Sequence, residues 1–300
     1  MISLALALPT LAREDRARRA SLDRTLSDLG LLSHIPFDVA RAEGVEIDVH
    51  DGRLLRRLRL FQERQANWAL GQSMFRWLEE QTTDYVGVVQ DDVRLHPDGW
   101  RAIEAMLEVK PRAILGLHAS HPALRQLFLE GGISWATTDD GLVGTMWIMP
   151  RAGEAPSIED LVRFSSTELC CGALESLHED DLIGVYAMAR GIPIHHPVVS
   201  PMDHDVSVAS AYGNDNHAYR RPAVTLWEAA EREAEKGPHA RDWTTPETYR
   251  SEVAHLGRFY KNLFEHLPLV LADAALGTKL RAKHATRTCP PRLARYFEPM

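Results

Sequence analysis

A short apolar strand that ends abruptly in acidic residues constrains the fold of this chain most. Residues 85–89 carry no charged side chain, and Gln90, Asp91 and Asp92 follow them directly. An uninterrupted apolar run of this length predicts a strand buried on both faces, which is typical of sheets covered by helices on both sides. In open α/β sheets, ligands bind at the carboxyl ends of such strands. The sequence therefore predicts an α/β fold with carboxylates at a ligand-binding edge.

The remainder of the chain repeats this alternation of strands and helices. An aliphatic run at residues 2–8 predicts a first strand, and a polar helical pattern follows it as far as Gly30. Further strands are predicted at residues 45–49, 113–117, 143–149 and 192–196, and an irregular loop at 118–144. Helices are predicted at residues 13–29, 54–80, 182–190, 226–236 and 246–267. We expect one catalytic domain at residues 1–213 and a helical C-terminal extension at 214–300 that packs on it.

Composition excludes several classes of protein. The 300 residues are 45% hydrophobic and 25% charged, which is typical of a globular chain. Three cysteines, two of them adjacent, provide no disulfide framework. The apolar N-terminus lacks the basic start and cleavage site of a signal peptide, and nowhere is there a run of about 20 apolar residues. These features predict a soluble, cytoplasmic protein without a membrane span, and no pattern indicates its oligomeric state.

The charge pattern leaves the partners open. A formal net charge of −8 argues against a general polyanion binder. Two basic segments are nevertheless compatible with a phosphate-rich partner such as nucleic acid, and a solvated basic tail is the alternative for the second. They comprise Arg53, Arg56, Arg57 and Arg59, and then Lys279, Arg281, Lys283, Arg287, Arg292 and Arg295.

The acidic turn after the buried strand is suited to a hard divalent cation. Adjacent carboxylates repel each other unless a cation or hydrogen bonds offset the charge. Mg2+ or Mn2+ is commonly held by one or two carboxylates, with substrate phosphate oxygens and water in the other positions. Asp91 and Asp92 fit this pattern, although Asp-Asp pairs also cap helices and form turns.

A second acidic group stands about ninety residues later. Glu179, Asp180 and Asp181 precede a helical pattern, and His195, His196 and His204 follow it. A helix N-terminus stabilises an ionised carboxylate, so this position suits both a general base and a simple helix cap. We expect His195 and His196, on or beside a strand, to pack within the protein.

The order of these motifs resembles the GT-A-fold glycosyltransferases. The resemblance covers about residues 1–213 and rests on five segments: Pro9 to Arg13, Arg64 to Asn67, Gln90 to Val93, Glu179 to Leu182, and Pro201 to His204. It implies a Rossmann-type mixed sheet flanked by helices. It also implies transfer of a sugar from a nucleotide-diphosphate sugar, with UDP as the default nucleotide, to an acceptor hydroxyl.

The resemblance also implies roles for individual residues. The last carboxylate of the family's acidic triplet contacts the metal, which assigns Asp92, and a downstream histidine that completes the metal shell matches His204. In inverting branches the aspartate of a Glu-Asp pair takes the proton of the acceptor, which assigns Asp180, with Glu179 in support. The cofactor would be Mn2+ or Mg2+.

The resemblance also implies which residues bind the nucleotide of the donor. The first position of the triplet faces the ribose in the family, and here it is Gln90, an uncharged departure that still forms hydrogen bonds. The nucleotide-contacting positions match Thr10, Arg13, Gln65, Gln90 and Asp91.

Two other functions remain open from the residues alone. A metal-dependent phosphohydrolase or nuclease would use Asp91, Asp92, Asp180 and His204 around paired ions. A non-catalytic nucleotide-sugar binder is suggested by Gln90 in place of an acid, but the presence of both Asp92 and Asp180 argues against it. The acceptor is also open: DNA with a hydroxymethylated base, a glycan, a small molecule and a protein hydroxyl are all compatible with the sequence.

Overall fold

The structure is a computed structural model that describes most of the chain. The described residues are 1–11, 16–30, 46–51, 54–63, 68–139, 145–169, 179–205 and 221–257. Arg13, Gln65, Arg53, all three cysteines and the basic segment at 274–297 lie outside these ranges.

Nine of the eleven described strands form one large mixed sheet. Its order is β11-β7-β9-β6-β8-β4-β1-β3-β2, and β5 and β10 form a separate two-stranded sheet. The strands are β1 (Ile2–Leu11), β2 (Glu46–Asp51), β3 (Leu54–Glu63), β4 (Tyr85–Val89), β5 (Val93–Leu95), β6 (Ile114–Gly116), β7 (Trp135–Thr138), β8 (Met146–Pro150), β9 (Ile194–Pro197), β10 (Met202–His204) and β11 (Val253–Gly257).

Helices cover both faces of the large sheet, as the apolar strand β4 predicts. They are α1 (Arg16–Asp28), α2 (Trp68–Glu80), α3 (Gly99–Val109), α4 (Pro122–Glu130), α5 (Ile158–Thr167), α6 (Glu179–Arg190), α7 (Leu226–Ala234) and α8 (Pro246–Tyr249). One buried cluster joins α1, α3, α4 and α7 to the first face. A second cluster joins α2, α5 and α6 to the other face. The prediction of an α/β fold is therefore confirmed.

The direction of the strands defines one functional edge of the sheet. β1 runs parallel to β3 and β4, and β6 runs parallel to β9. β8 lies between β4 and β6 and is antiparallel to both. β1, β3, β4, β6 and β9 therefore all end at the same edge, which we call the carboxyl edge.

Gly87 allows the central strands to pack closely. A Cβ atom at this position would lie 2.1 Å from the backbone oxygen of Trp147 in β8. Only glycine avoids that overlap. The close approach keeps β4 in register with β8, so that the turn after Val89 leaves the sheet beside the start of β8 at Met146.

The predicted helix at 54–80 is wrong in its first half. Residues 54–63 form β3, which pairs with both β1 and β2. Leu54, Arg56, Leu58 and Leu60 are buried in alternation with less buried neighbours. This period of two is that of a strand. The spacing of the leucines is compatible with both a helix and a strand. Pairing with β1 and β2 determines that a strand forms.

Two other expectations also need correction. The predicted irregular region at 118–144 contains the helix α4 and the strand β7. The predicted helix at 246–267 ends at Tyr249, and β11 follows it and pairs in parallel with β7. The part of the chain after residue 213 therefore adds a strand to the large sheet as well as helices.

Candidate functional site

The Gln90-Asp91-Asp92 turn leaves the carboxyl edge between β4 and β5. The backbone N–H of Gln90 donates to the carbonyl of Thr145 at 2.9 Å, which continues the ladder between β4 and β8 by one residue. The side chains of Gln90, Asp91 and Asp92 are all partly exposed. The turn therefore presents polar groups at the edge where α/β sheets bind ligands.

The two-stranded sheet brings Asp92 to His204. β10 is antiparallel to β5, with His204 opposite Val93, and the backbone N–H of Asp205 donates to the carbonyl of Asp92 at 2.7 Å. Nε2 of His204 lies 2.7 Å from Oδ2 of Asp92. Both side chains are mostly buried, with 10% and 20% of their surfaces exposed. Residues 112 positions apart in sequence thus form one pair.

The Asp92–His204 pair supplies a carboxylate oxygen and an imidazole nitrogen, which are both donor types for a divalent ion. Their separation of 2.7 Å is that of a direct hydrogen-bonding contact between the two side chains. Two ligands at right angles about 2.1 Å from an ion are about 3 Å apart, so a small movement of the two side chains would admit one. Within the described ranges, no group of three or more His, Cys, Asp or Glu side chains is arranged to hold a metal. Among the described residues, this pair would therefore be the protein's contribution to such a site.

Asp91 is held by Thr10 at the end of the neighbouring strand. Oγ1 of Thr10 donates to Oδ2 of Asp91 at 2.5 Å. The pairing of β1 with β4 ends at Ala7 and Val88. The side-chain hydrogen bond joins the two chain segments beyond that last pair.

Asp180 lies at the start of α6, and the topology places that start at the carboxyl edge. Only residues 191–193 separate α6 from β9, which begins at the opposite edge. The helix therefore runs back along the sheet, and its 12 residues rise about 18 Å, about the length of β4. Asp180 is partly buried, and its Oδ1 accepts from the backbone N–H of Asp181 at 3.0 Å. Asp180 and the acidic turn thus share one edge and approach it from opposite faces.

A charge network centred on the buried Asp160 fixes α6 against α5. Asp160 of α5 accepts hydrogen bonds from Nε of Arg190 at 2.8 Å and from the Tyr186 hydroxyl at 3.0 Å, and it also pairs with Arg163. Arg190 additionally binds Glu168 at 2.7 Å. Burial alone would raise the pKa of Asp160, but the hydrogen bonds from Arg190, Arg163 and Tyr186 outweigh it and lower the pKa. The network anchors the helix that carries Asp180.

His195 and His196 pack within the protein, as expected. Nε2 of His196 lies 3.0 Å from the Thr138 hydroxyl, and its Nδ1 lies 3.0 Å from the carbonyl oxygen of Gly116. The His195 ring meets Trp135 edge-on at 6.0 Å between centroids.

The structure thus joins four of the predicted residues in two pairs. Thr10 binds Asp91, and Asp92 binds His204, while Gln90 lies in the same turn. Glu179 is the first residue of α6, and its side chain lies outside the described part of the protein. Arg13 and Gln65 lie outside the described residues altogether.

His118 was missed by the sequence reasoning. It follows β6 at the carboxyl edge, is fully buried, and meets the His204 ring edge-on at 6.1 Å between centroids. One feature of the sequence indicates its position: it is a polar residue directly after the predicted strand at 113–117. It was predicted only as the first residue of an irregular loop.

Three arginines from the first basic segment are engaged within the protein. Arg56 is buried, donates to the carbonyl of Leu29 at 2.8 Å and lies over the Trp100 ring at 4.5 Å. Arg57 pairs with Asp48 at 2.8 Å, and Arg59 pairs with Glu46 at 3.5 Å. The expectation of an external phosphate contact is therefore wrong for Arg56, and the charges of Arg57 and Arg59 are already offset.

Comparisons with other proteins do not assign the chain to a family. Neither the models of known protein families nor the curated proteins contain a match. Among the described helices, none is long and apolar enough to cross a membrane. The fold and the acidic turn define an α/β protein with a mixed sheet and acidic residues at the carboxyl edge.

Proposed function

We propose that the protein is a metal-dependent glycosyltransferase with a GT-A-like fold, which transfers a sugar from a nucleotide-diphosphate sugar to an acceptor hydroxyl. The observation that carries the proposal is the contact of 2.7 Å between Asp92 and His204 at the carboxyl edge. An acidic turn paired with a distant histidine is the arrangement that the motif resemblance implies. The mixed sheet, in which β8 runs against β4 and β6, is compatible with this fold.

Asp92 and His204 would hold Mn2+ or Mg2+. With two protein ligands, the remaining positions are left to water and to the oxygens of a diphosphate. When bound, the ion stabilises negative charge on the leaving diphosphate. Thr10, Asp91 and Gln90 lie beside this pair and would bind the nucleoside part of the donor through hydrogen bonds, with UDP as the default.

Asp180 would act as the general base. As the acceptor oxygen bonds to the anomeric carbon, its proton passes to the Asp180 carboxylate. The bond from that carbon to the diphosphate oxygen breaks, and the diphosphate leaves with the electron pair. Attack from the side opposite the leaving group inverts the anomeric centre. A helix N-terminus favours a negatively charged side chain, which suits Asp180 to this role, and Glu179 would orient it.

A thermal-shift screen tests the donor site first. The full chain is heated with UDP-, GDP-, CDP- and dTDP-sugars, each with Mn2+ and with EDTA, beside Asp92→Ala. A ligand that binds only the folded state raises the Tm. We expect one nucleotide class to raise the Tm in Mn2+ alone, and Asp92→Ala to lose that shift. A folded protein that no donor stabilises, yet that cleaves nucleotides or nucleic acid without a sugar acceptor, would instead be a phosphohydrolase or nuclease.

A further inference from the structure

One face of α1 carries polar side chains that pack against the two-stranded sheet. Ser21, Arg24, Thr25 and Asp28 follow the spacing of neighbours on a helix. Ser21 and Thr25 are 2% and 0% exposed, whereas polar residues on a helix usually face solvent. Leu22, Leu26 and Leu29 join the apolar cluster on the sheet. The polar face of α1 therefore packs on a different part of the protein from the apolar cluster.

That part of the protein is the pair of strands which carries the two proposed metal ligands. On the β5 side, the Thr25 hydroxyl lies 3.0 Å from the carbonyl oxygen of Asp91 and 2.8 Å from that of Val93. On the β10 side, Nε of Arg24 donates to Oδ2 of Asp205 at 3.0 Å, and the Ser21 hydroxyl donates to the same oxygen at 3.1 Å. One helix face thus binds the residues that flank Asp92 and the residue that follows His204.

We propose that Arg24 is a positioning residue that holds His204 against Asp92 through Asp205. The consequence for catalysis rests on the proposed function, but the positioning itself does not. Asp205 directly follows His204, and its N–H binds the Asp92 carbonyl at 2.7 Å, so a shift of Asp205 displaces both members of the pair.

The burial of Asp205 explains why Arg24 matters more than other surface arginines. The Asp205 side chain is 9% exposed, and a carboxylate that is this buried requires a charged partner. Loss of Arg24 would remove a charged partner from Asp205 and leave the Ser21 hydroxyl as a neutral donor to the same oxygen, so we expect Asp205 and the end of β10 to shift. Side chains that orient metal ligands commonly affect metal affinity by about 10- to 100-fold.

Arg94 provides a matched control. Its Nε binds Asp28 at 2.6 Å, so it also links α1 to β5. The Arg94 side chain is 40% exposed and that of Arg24 is 39% exposed. Arg94 lies opposite Asp203 of β10 in the two-stranded sheet, but its side-chain ion pair is with Asp28 of α1 and not with Asp205. Replacement of Arg94 therefore tests whether any weakening of the contact between α1 and β5 is enough to displace His204 from Asp92.

The first experiment measures the position of His204 without metal. The full chain is labelled with 15N-histidine, and His204 is assigned among the 14 histidines with His204→Gln. Asp92→Asn defines the imidazole signal of a His204 that has lost its carboxylate. We expect Arg24→Met and Asp205→Asn to move the signal toward that position, Arg24→Lys to restore it in part, and Arg94→Met to leave it in place. An unshifted signal in folded Arg24→Met, or an equal shift in Arg94→Met, overturns the proposal.

The second experiment measures binding of Mn2+ in the presence of UDP by electron paramagnetic resonance. We expect Arg24→Met to raise the Kd for Mn2+ about tenfold, and Arg94→Met to change it by about twofold at most. Unchanged affinity in Arg24→Met, with affinity lost in Asp92→Ala, contradicts the positioning role. If the wild-type protein binds no Mn2+ but its His204 signal still depends on Arg24, the positioning role stands and the proposed function fails.

Discussion

Thr10 donates a hydrogen bond of 2.5 Å to Asp91, beyond the last paired residues of β1 and β4. The backbone pairing of these strands ends at Ala7 and Val88. A side-chain contact therefore joins the two segments beyond the ladder, and it holds one carboxylate of the acidic turn. The Asp91 carboxylate is thereby oriented independently of the Asp92–His204 pair.

Replacement of Thr10 tests the role of this contact. Thr10→Val keeps the shape of the side chain but removes a hydrogen bond to a carboxylate, a type of bond worth about 1.5–3 kcal/mol. We expect the KM for the nucleotide-sugar donor to rise about tenfold, with kcat much less affected. Steady-state kinetics with the donor found by the thermal-shift screen measures both constants.

Thr83 provides the matched control for that variant. It is buried like Thr10, and its hydroxyl binds the carbonyl of Tyr85 at 2.8 Å, at the opposite end of β4. Thr83→Val should lower stability without changing the donor KM. An equal rise of KM in both variants would assign the effect to loosening of the sheet.

Asp180 and Asp92 should fail in different ways when replaced. Asp180→Asn removes the general base, so transfer should fall by about a hundredfold or more while donor binding persists. Asp92→Ala should weaken metal-dependent donor binding itself. Calorimetric titration with the donor, alongside product formation, separates the two effects. Asp181→Asn, the neighbouring carboxamide variant, serves as the control for charge at the start of α6. Equal loss of donor binding in both test variants contradicts this division of roles.

The sequence predicted those parts of the site whose signal is local. The buried strand β4 and the acidic residues at its end are contiguous, and the start of α6 at Glu179 is marked by consecutive carboxylates. The pairing of Asp92 with His204 came from the motif resemblance, because it depends on β10 returning beside β5. No local pattern encodes that return.

Features that depend on distant contacts escaped prediction. Thr25 is fully buried, but the sequence of α1 alone resembles that of a solvent-facing helix. Arg56, Arg57 and Arg59 form a basic run in the sequence, but Trp100 and the acids of β2 engage them. A charged residue looks the same in a sequence whether it faces water or a partner.

The Asp160 network should stabilise the protein in a pH-dependent manner. The pKa of Asp160 in the folded state is lower than its ordinary value of 3.8, because its hydrogen bonds to Arg190, Arg163 and Tyr186 outweigh the effect of burial. The stabilisation is therefore present above pH 4 and is lost as the pH falls through the folded-state pKa. Arg190→Met should lower the free energy of unfolding by about 3 kcal/mol at pH 7. Urea titrations at pH 7 and pH 3 test this, and the deficit of the variant relative to wild type should shrink at pH 3.

Because of His121, the stability of the protein should also depend on pH in a second, higher range. Its Nδ1 caps α4 by accepting from the N–H of Ala123 at 3.1 Å, and burial lowers its pKa to about 4. The unfolded chain takes up a proton near the ordinary value of 6.5, whereas the folded protein does not. Stability should therefore fall as the pH drops from about 6.5 toward 4, by roughly 2–3 kcal/mol from this residue.

His121→Asn keeps a capping oxygen but does not titrate, so its unfolding free energy should vary less between pH 7 and pH 4. His239→Gln, at an exposed position in the short 3-10 helix Gly237–His239 that follows α7, should retain the wild-type pH dependence. If His121→Asn shows the same pH dependence as wild type, the cap does not depend on a neutral imidazole.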